Sequence, residues 1–192
     1  MSVQIHNSRF EGIQKKSEKV ISHIYGLLES GYSLCSATSF GKDSSAVLVL
    51  MLEAMRRAKE QGVNMAPCFV SHSNTQIENP AMDSYCGEMI RNVEEFAEKQ
   101  NLPLDVVLAE PSVASSFFYA TIGRGKLPRF VDSKHRQCSV DWKIRPQEKA
   151  LKQIRGQLGH SEELVMLIGS RETESASRGD RMREAGRTAE AL

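Results

Sequence analysis

Tyr32-Ser33-Leu34-Cys35-Ser36-Ala37, Thr38-Ser39-Phe40-Gly41-Lys42-Asp43-Ser44 and then Ser45 to Gln61 follow one another without a break. A short apolar run, a Ser/Gly turn and a long run that is apolar at first and charged later predict a strand feeding a helix, with Gly62 as the stop. The same alternation extends outward on both sides. Before it, Ile13, Val20, Ile21, Ile24, Leu27 and Leu28 fall at helical spacings, and that helix ends near Gly31. After it come a strand from Met65 to Ser71, a helix from Pro80 to Gln100 with Pro80 in its first turn, and a strand from Leu104 to Leu108. Pro146 to Leu158 reads as a helix, and Leu164 to Ile168 as the cleanest buried strand. Strands alternating with long helices imply parallel pairing and right-handed crossovers. The fold class expected is α/β, a three-layer, mostly parallel, doubly wound sheet. The stretch from Pro111 to Pro146 is not assignable from its pattern.

The chain has 192 residues, of which 40% are hydrophobic and 26% charged, an ordinary globular composition that excludes collagen-like, wholly disordered and membrane-embedded classes. One domain spanning 1–192 is expected. The formal net charge is only +1, but Arg124 to Arg155 carries ten Lys/Arg against Asp132, Asp141 and Glu148, a local +7. That segment suits a polyanion; equally, a run of charge can be a solvated face. Against the second view, Lys143 and Arg145 flank an isoleucine before a proline rather than forming a helical salt-bridge pattern. The tail from Arg171 to Leu192 has five arginines, five acids and almost no large apolar residue, so 171–192 is expected to be partly disordered and the chain to stop short of its natural end. Four dispersed cysteines, no C-x-x-C pair, no signal-like N-terminus and no spanning run place the protein in the cytoplasm with reduced thiols.

A strand that enters a Ser/Gly turn before a helix aims backbone N–H groups and the positive end of the helix dipole at one point beyond the sheet edge. Phosphate binds at such a point. The hydroxyls and amides of Ser39, Phe40, Gly41, Lys42, Asp43 and Ser44 can hold pyrophosphate oxygens, Lys42 can neutralise charge, and Asp43 can help to position Mg²⁺. An ordinary turn with a Ser cap is the bland alternative. Walker A is excluded, because the first glycine is missing and Asp43 follows Lys42; a G-x-G-x-x-G fingerprint is absent.

The stretch from Ser39 to Ser44 resembles the S-G-G-x-D-S pyrophosphate loop of the N-type ATP pyrophosphatases, which share the adenine nucleotide alpha-hydrolase fold. More narrowly it is similar to the phosphoadenosine phosphosulfate (PAPS) reductase branch, which favours Lys before the Asp. Three further stretches in the right order support this: Ser73 to Pro80, Cys138 to Pro146, and Gly169-Ser170-Arg171-Glu172-Thr173-Glu174-Ser175 with Arg178. Together they most resemble the DndC and SspD type proteins of bacterial DNA phosphorothioation, over roughly Ser17 to Arg178. Two departures stand out. Phe40 occupies the position of the family's usual first glycine, and no clustered cysteines are visible, so no iron–sulfur cluster is expected in this chain.

The resemblance implies that ATP, with Mg²⁺, is cleaved to AMP and pyrophosphate to activate a DNA backbone phosphate for sulfur incorporation. A cysteine desulfurase would supply the sulfur, with other phosphorothioation proteins as partners. Lys42, Asp43, Arg171 and Cys138 are the expected catalytic residues; Ser39 to Ser44 with Arg171, Glu174, Ser175 and Arg178 the expected nucleotide site. Asn74, Glu78, Arg129, Lys134, Arg136, Lys143 and Arg145 are the candidates for substrate or DNA. Cys138 stands among Lys134, His135, Arg136 and Lys143, neighbours that favour a thiolate, whereas Cys35, Cys68 and Cys86 read as core. His72 and His135 have no partner at ligand spacing, so zinc is not expected, and Trp142 reads as a core anchor rather than a stacking platform. Two alternatives remain: a PAPS or APS reductase that passes sulfite to a cysteine, and a nucleotide-binding subunit without turnover.

Overall fold

The computed structural model describes residues 7–126, 140–158, 163–170, 180 and 183–184. Four strands, β1 Ser33–Thr38, β2 Cys68–Ser73, β3 Leu104–Ala109 and β4 Leu164–Ile168, pair in parallel in the order β3-β2-β1-β4. Their register runs Cys35 beside Phe69 and Met166, and Phe69 beside Asp105. The period of two along a strand then sorts side chains between faces. Leu34 and Cys68 point to one face, where they pack with helix α1 Asn7–Glu29 through Ile24 and Leu28, and with α2 Lys42–Glu60 through Met51 and Met55. Helix α3 Pro80–Gln100 completes that layer through Cys86, Val93 and Ala97. Cys35 and Phe69 point the other way, onto Ile154 of α4 Arg145–Gln157 and Leu158. The fold is therefore the expected three-layer α/β sheet.

Two helix boundaries lie earlier than the apolar pattern indicates. The first turns of α1 precede its apolar stripe, and Ile13 is 58% exposed, so no burial signal marks them. Helix α2 begins at Lys42, taking in Lys42, Asp43 and Ser44 with Gly41 as N-cap, because nothing in those residue types blocks helical dihedrals. Gly31 at φ 83° and Gly62 at φ 75° close α1 and α2 as anticipated. Among the described residues no helix is long and apolar enough to cross a membrane.

Part of the stretch from Pro111 to Pro146 is described and proves to be three short turns fastened together. A 3₁₀ turn at Val113–Ser115 and a π turn at Tyr119–Gly123 lie against a second π turn, Val140–Ile144, that runs directly into α4. Trp142 is the fastener: its Nε1–H donates to the Ser115 carbonyl at 2.9 Å and its ring meets Phe117 edge-on at 5.2 Å. The expectation for Arg145 is corrected here. It does lie in a helical pattern, pairing with Asp141 four residues earlier at 2.8 Å.

The order of the strands fixes where a ligand can sit. The chain steps from β1 to β2 to β3, then returns through α4 to place β4 on the opposite side of β1. The strand order therefore reverses between β1 and β4, and in parallel sheets of this kind ligands bind at the carboxyl ends of the strands at such a reversal.

The packing of α1 on α2 carries a testable pH dependence. Arg57 reaches Glu18 at 2.6 Å and Glu53 at 2.7 Å, and Glu53 also accepts from Arg56 at 2.8 Å. The hydrogen bond from Arg56, reinforced by Arg57 and opposed by burial, holds the Glu53 carboxyl down to about 2. Because the folded value lies below the unfolded one, this contribution is complete above about pH 4.5 and is lost as pH falls from there toward 2. Melting temperature should accordingly drop over that window in the wild type, with Glu53→Gln flattening the drop and lowering stability at pH 7 by about 1 kcal/mol. Identical pH profiles for the two proteins would contradict the network.

Candidate functional site

The turn between β1 and α2 is a closed ring of hydrogen bonds around one hydroxyl. Ser44 Oγ accepts from the Ser39 N–H at 3.3 Å and from Thr38 Oγ1 at 3.4 Å, and donates to the Gly41 carbonyl at 3.2 Å. Phe40 takes the left-handed conformation at φ 53° without being glycine. The cost, on the order of 1 kcal/mol, is offset by its ring, which is buried with Leu48, Val70, Cys86 and Val93 and lies 5.3 Å from His72. Its N–H donates to Thr38 Oγ1 at 3.0 Å, so the Phe40 amide serves the turn itself. Gly41, the N-cap, provides no side-chain hydrogen bond to the first turn of α2, which leaves that turn suited to an anion.

Gly169, the first residue after β4, abuts this turn. A Cβ at that position would lie 2.4 Å from the Asp43 carbonyl oxygen and 2.8 Å from the Ser44 nitrogen, both backbone atoms. Glycine is what lets the end of β4 approach the start of α2 beside the cleft.

Beside the turn lies a cleft of about 750 Å³, within the range of small-molecule sites. Ser39, Gly41 and Ser44 line one side, Glu78, Met82 and Cys86 another, and Lys143, Ile144 and Gln147 a third, with Met166 and Gly169 at β4. Lys143 Nζ lies 3.6 Å from Glu78 Oε1, which also accepts from buried Thr75 at 3.1 Å. The cleft thus combines an apolar wall from Met82, Ile144 and Met166 with cationic and anionic side chains at its rim, a lining that fits a base together with phosphate groups.

Of the sequence candidates, Ser39, Gly41, Ser44, Glu78 and Lys143 come together around the cleft. Lys42 and Asp43 occupy the first turn of α2 and are not among its lining residues; Lys42 is exposed. Asn74 builds the loop after β2, accepting from the Gln76 N–H at 3.0 Å and donating to Glu110 at 2.9 Å. Arg145 is engaged by Asp141, as described. Arg129, Lys134, Arg136, Cys138, Arg171, Glu174, Ser175 and Arg178 lie outside the described residues. Gln147 was missed: it accepts from Ser73 Oγ at 2.9 Å and donates to Ser71, tying α4 to the end of β2. The signal was present, since Ser71 and Ser73 fall on one face of a strand. Its partner, following Pro146 in a first helical turn, is separated by too many residues to be read locally.

Burial pushes the Cys35 thiol up to about 12, with Cys68 adding to the effect, and pushes Cys68 up to about 11. Cys86 is raised as well, by burial and then by Asp83 and Glu78. All three stay protonated near neutrality, in keeping with a core role, although Cys86 also borders the cleft. Among the described residues no group of three or more His, Cys, Asp and Glu could hold a metal ion.

No curated protein matches the chain. A family model described as the phosphoadenosine phosphosulfate reductase domain matches residues 33–189, from the first residue of β1 onward. That span takes in the parallel sheet, the Ser39 to Ser44 turn and the cleft beside it. The chain belongs to the phosphoadenosine phosphosulfate reductase domain family, and so to a superfamily of nucleotide-using enzymes.

Proposed function

We propose that the protein splits ATP between its α and β phosphates and uses the AMP group to activate a DNA backbone phosphate for sulfur incorporation. The observation that carries this reading is the first turn of α2, to which the N-cap Gly41 gives no side-chain hydrogen bond, set where the strand order reverses and opening through Gly41 and Ser44 on a cleft of nucleotide size. An oxygen of the acceptor phosphate attacks the α-phosphorus of ATP; the new P–O bond forms as the bond to the bridging oxygen breaks. Pyrophosphate leaves into the Ser39 to Ser44 turn, where the helix N-terminus and Lys42, together with Arg171, offset its charge. Glu174, Ser175 and Arg178 complete the nucleotide site, and Asp43 would help to hold a Mg²⁺ that would supply further neutralisation of phosphate charge. A cysteine desulfurase passes persulfide sulfur to Cys138. That sulfur attacks the acceptor phosphorus, AMP leaves, and a second thiol reduces the S–S bond to release the phosphorothioate.

Pyrophosphate release measured with and without DNA separates the alternatives. DNA-stimulated release supports this reading. A PAPS or APS reductase, which the family match favours equally, would turn over a sulfonucleotide instead, and a binding subunit would turn over neither. Lys42→Ala or Asp43→Ala should lower AMP formation by about 10²- to 10³-fold, the effect of losing one transition-state charge contact. Undiminished rates in both would move the site elsewhere. If Arg129, Lys134, Arg136, Lys143 and Arg145 meet duplex phosphates, affinity should fall with salt at a slope of about −0.9 per contact.

Cys138→Ser is expected to keep ATP cleavage yet abolish sulfur incorporation, read by mass spectrometry of nuclease-digested DNA. A serine variant that still installs sulfur would mean direct delivery by the donor.

A further inference from the structure

Soluble proteins rarely hold several large apolar side chains together in water without a use for them. Between β3 and α4 the described chain exposes Val113, Phe118, Tyr119 and Ile122, at 81%, 56%, 41% and 79%. The two aromatic residues are adjacent on one short turn, and the Arg124 guanidinium lies 5.0 Å from the Tyr119 ring centroid. Phe117, beneath them, packs on Trp142, so the turn is pinned to the segment that supplies Lys143 and Ile144 to the cleft. The surrounding charge is mainly basic: Arg124, Lys126, Lys143 and Arg145 face Asp141, which pairs with Lys126 and Arg145, and Glu78, which pairs with Lys143.

Exposed aromatic side chains interleaved with cations, on a turn pinned to the segment that lines the cleft, match the physical requirements of an unpaired strand. Each base offers a π-face to stack, and each phosphate a charge to neutralise. A duplex buries its base faces and could use only the cations. We propose that Phe118 and Tyr119 form a stacking platform for bases of single-stranded or locally opened DNA, delivering the neighbouring backbone phosphate to the cleft. The inference rests on the reading of DNA as acceptor given above and narrows it to an unpaired strand.

The test is fluorescence anisotropy of the full chain with a labelled single strand, the same strand with abasic sites, and the corresponding duplex. Phe118→Leu/Tyr119→Leu keeps apolar side chains on an exposed turn while removing both π-faces, and its melting temperature is compared with wild type. The wild type should prefer the intact single strand over both other probes. The double variant should bind it about fivefold to a hundredfold more weakly and should no longer distinguish it from the abasic strand. Equal wild-type affinity for intact and abasic strands, tighter binding of the duplex, or unchanged binding by a folded double variant would overturn the platform; the patch would then be a protein contact. AMP formation is followed separately. A wild type that forms no AMP, yet loses single-strand binding on substitution, would refute the reaction and leave the platform standing.

Discussion

Gly169→Ala is expected to lower AMP formation by about 10²-fold and to destabilise the fold by about 1–3 kcal/mol. The cause is steric and local. The added methyl would lie 2.4 Å from the Asp43 carbonyl oxygen and 2.5 Å from its carbon, atoms of the α2 backbone that no rotamer change can move aside. Either β4 withdraws from β1, breaking register near Ala37 and Ile168, or the first turn of α2 is pushed out of line with the cleft. Both displace the Ser39 to Ser44 ring relative to Met166 and Lys143. A Gly169→Ala protein with wild-type melting temperature and wild-type rate would show that β4 does not approach α2 this closely.

The second large effect concerns Phe40, and its sign between two variants is the informative part. Removing the buried ring should cost about 3–5 kcal/mol, since Phe40 is 4% exposed among Leu48, Val70, Cys86 and Val93. Glycine is ordinarily a worse replacement than alanine because it frees the unfolded chain. At φ 53° the order should reverse. Phe40→Ala loses the ring and keeps the left-handed strain, whereas Phe40→Gly loses the ring and relieves about 1 kcal/mol of it. Urea midpoints should therefore rank wild type above Phe40→Gly and Phe40→Gly above Phe40→Ala. The opposite order of the two variants would place the turn in another conformation.

The parts of this architecture written locally in the chain were legible. Strand-helix alternation, Gly31 and Gly62 as stops, and the strand-to-helix turn at Ser39 to Ser44 all depend on residues within a few positions of one another. Phe40 was legible as a departure but not as a solution, because only the packing of its ring against His72 and Val70 shows what stabilises a left-handed phenylalanine. Gln147 with Ser71 and Ser73, Trp142 with Ser115, and Gly169 against Asp43 depend on which strand neighbours which. The β3-β2-β1-β4 order that creates them follows from no single stretch. Arg145 was misread because Pro146 suggested a break, whereas proline in the first turn of α4 lets the preceding π turn continue into the helix. The exposed aromatic residues Phe118 and Tyr119 fall in the stretch from Pro111 to Pro146 that the sequence pattern leaves unassigned.

The central claim is that the Ser39 to Ser44 turn holds pyrophosphate as a leaving group. It is tested most directly by incubating the full chain with Mg²⁺, single-stranded DNA and ATP labelled at the α-phosphate, then separating the products. Label is expected in AMP and in an adenylated strand, together equal to the pyrophosphate formed, and lost in Lys42→Ala. Labelled ADP with inorganic phosphate as the only products would contradict it.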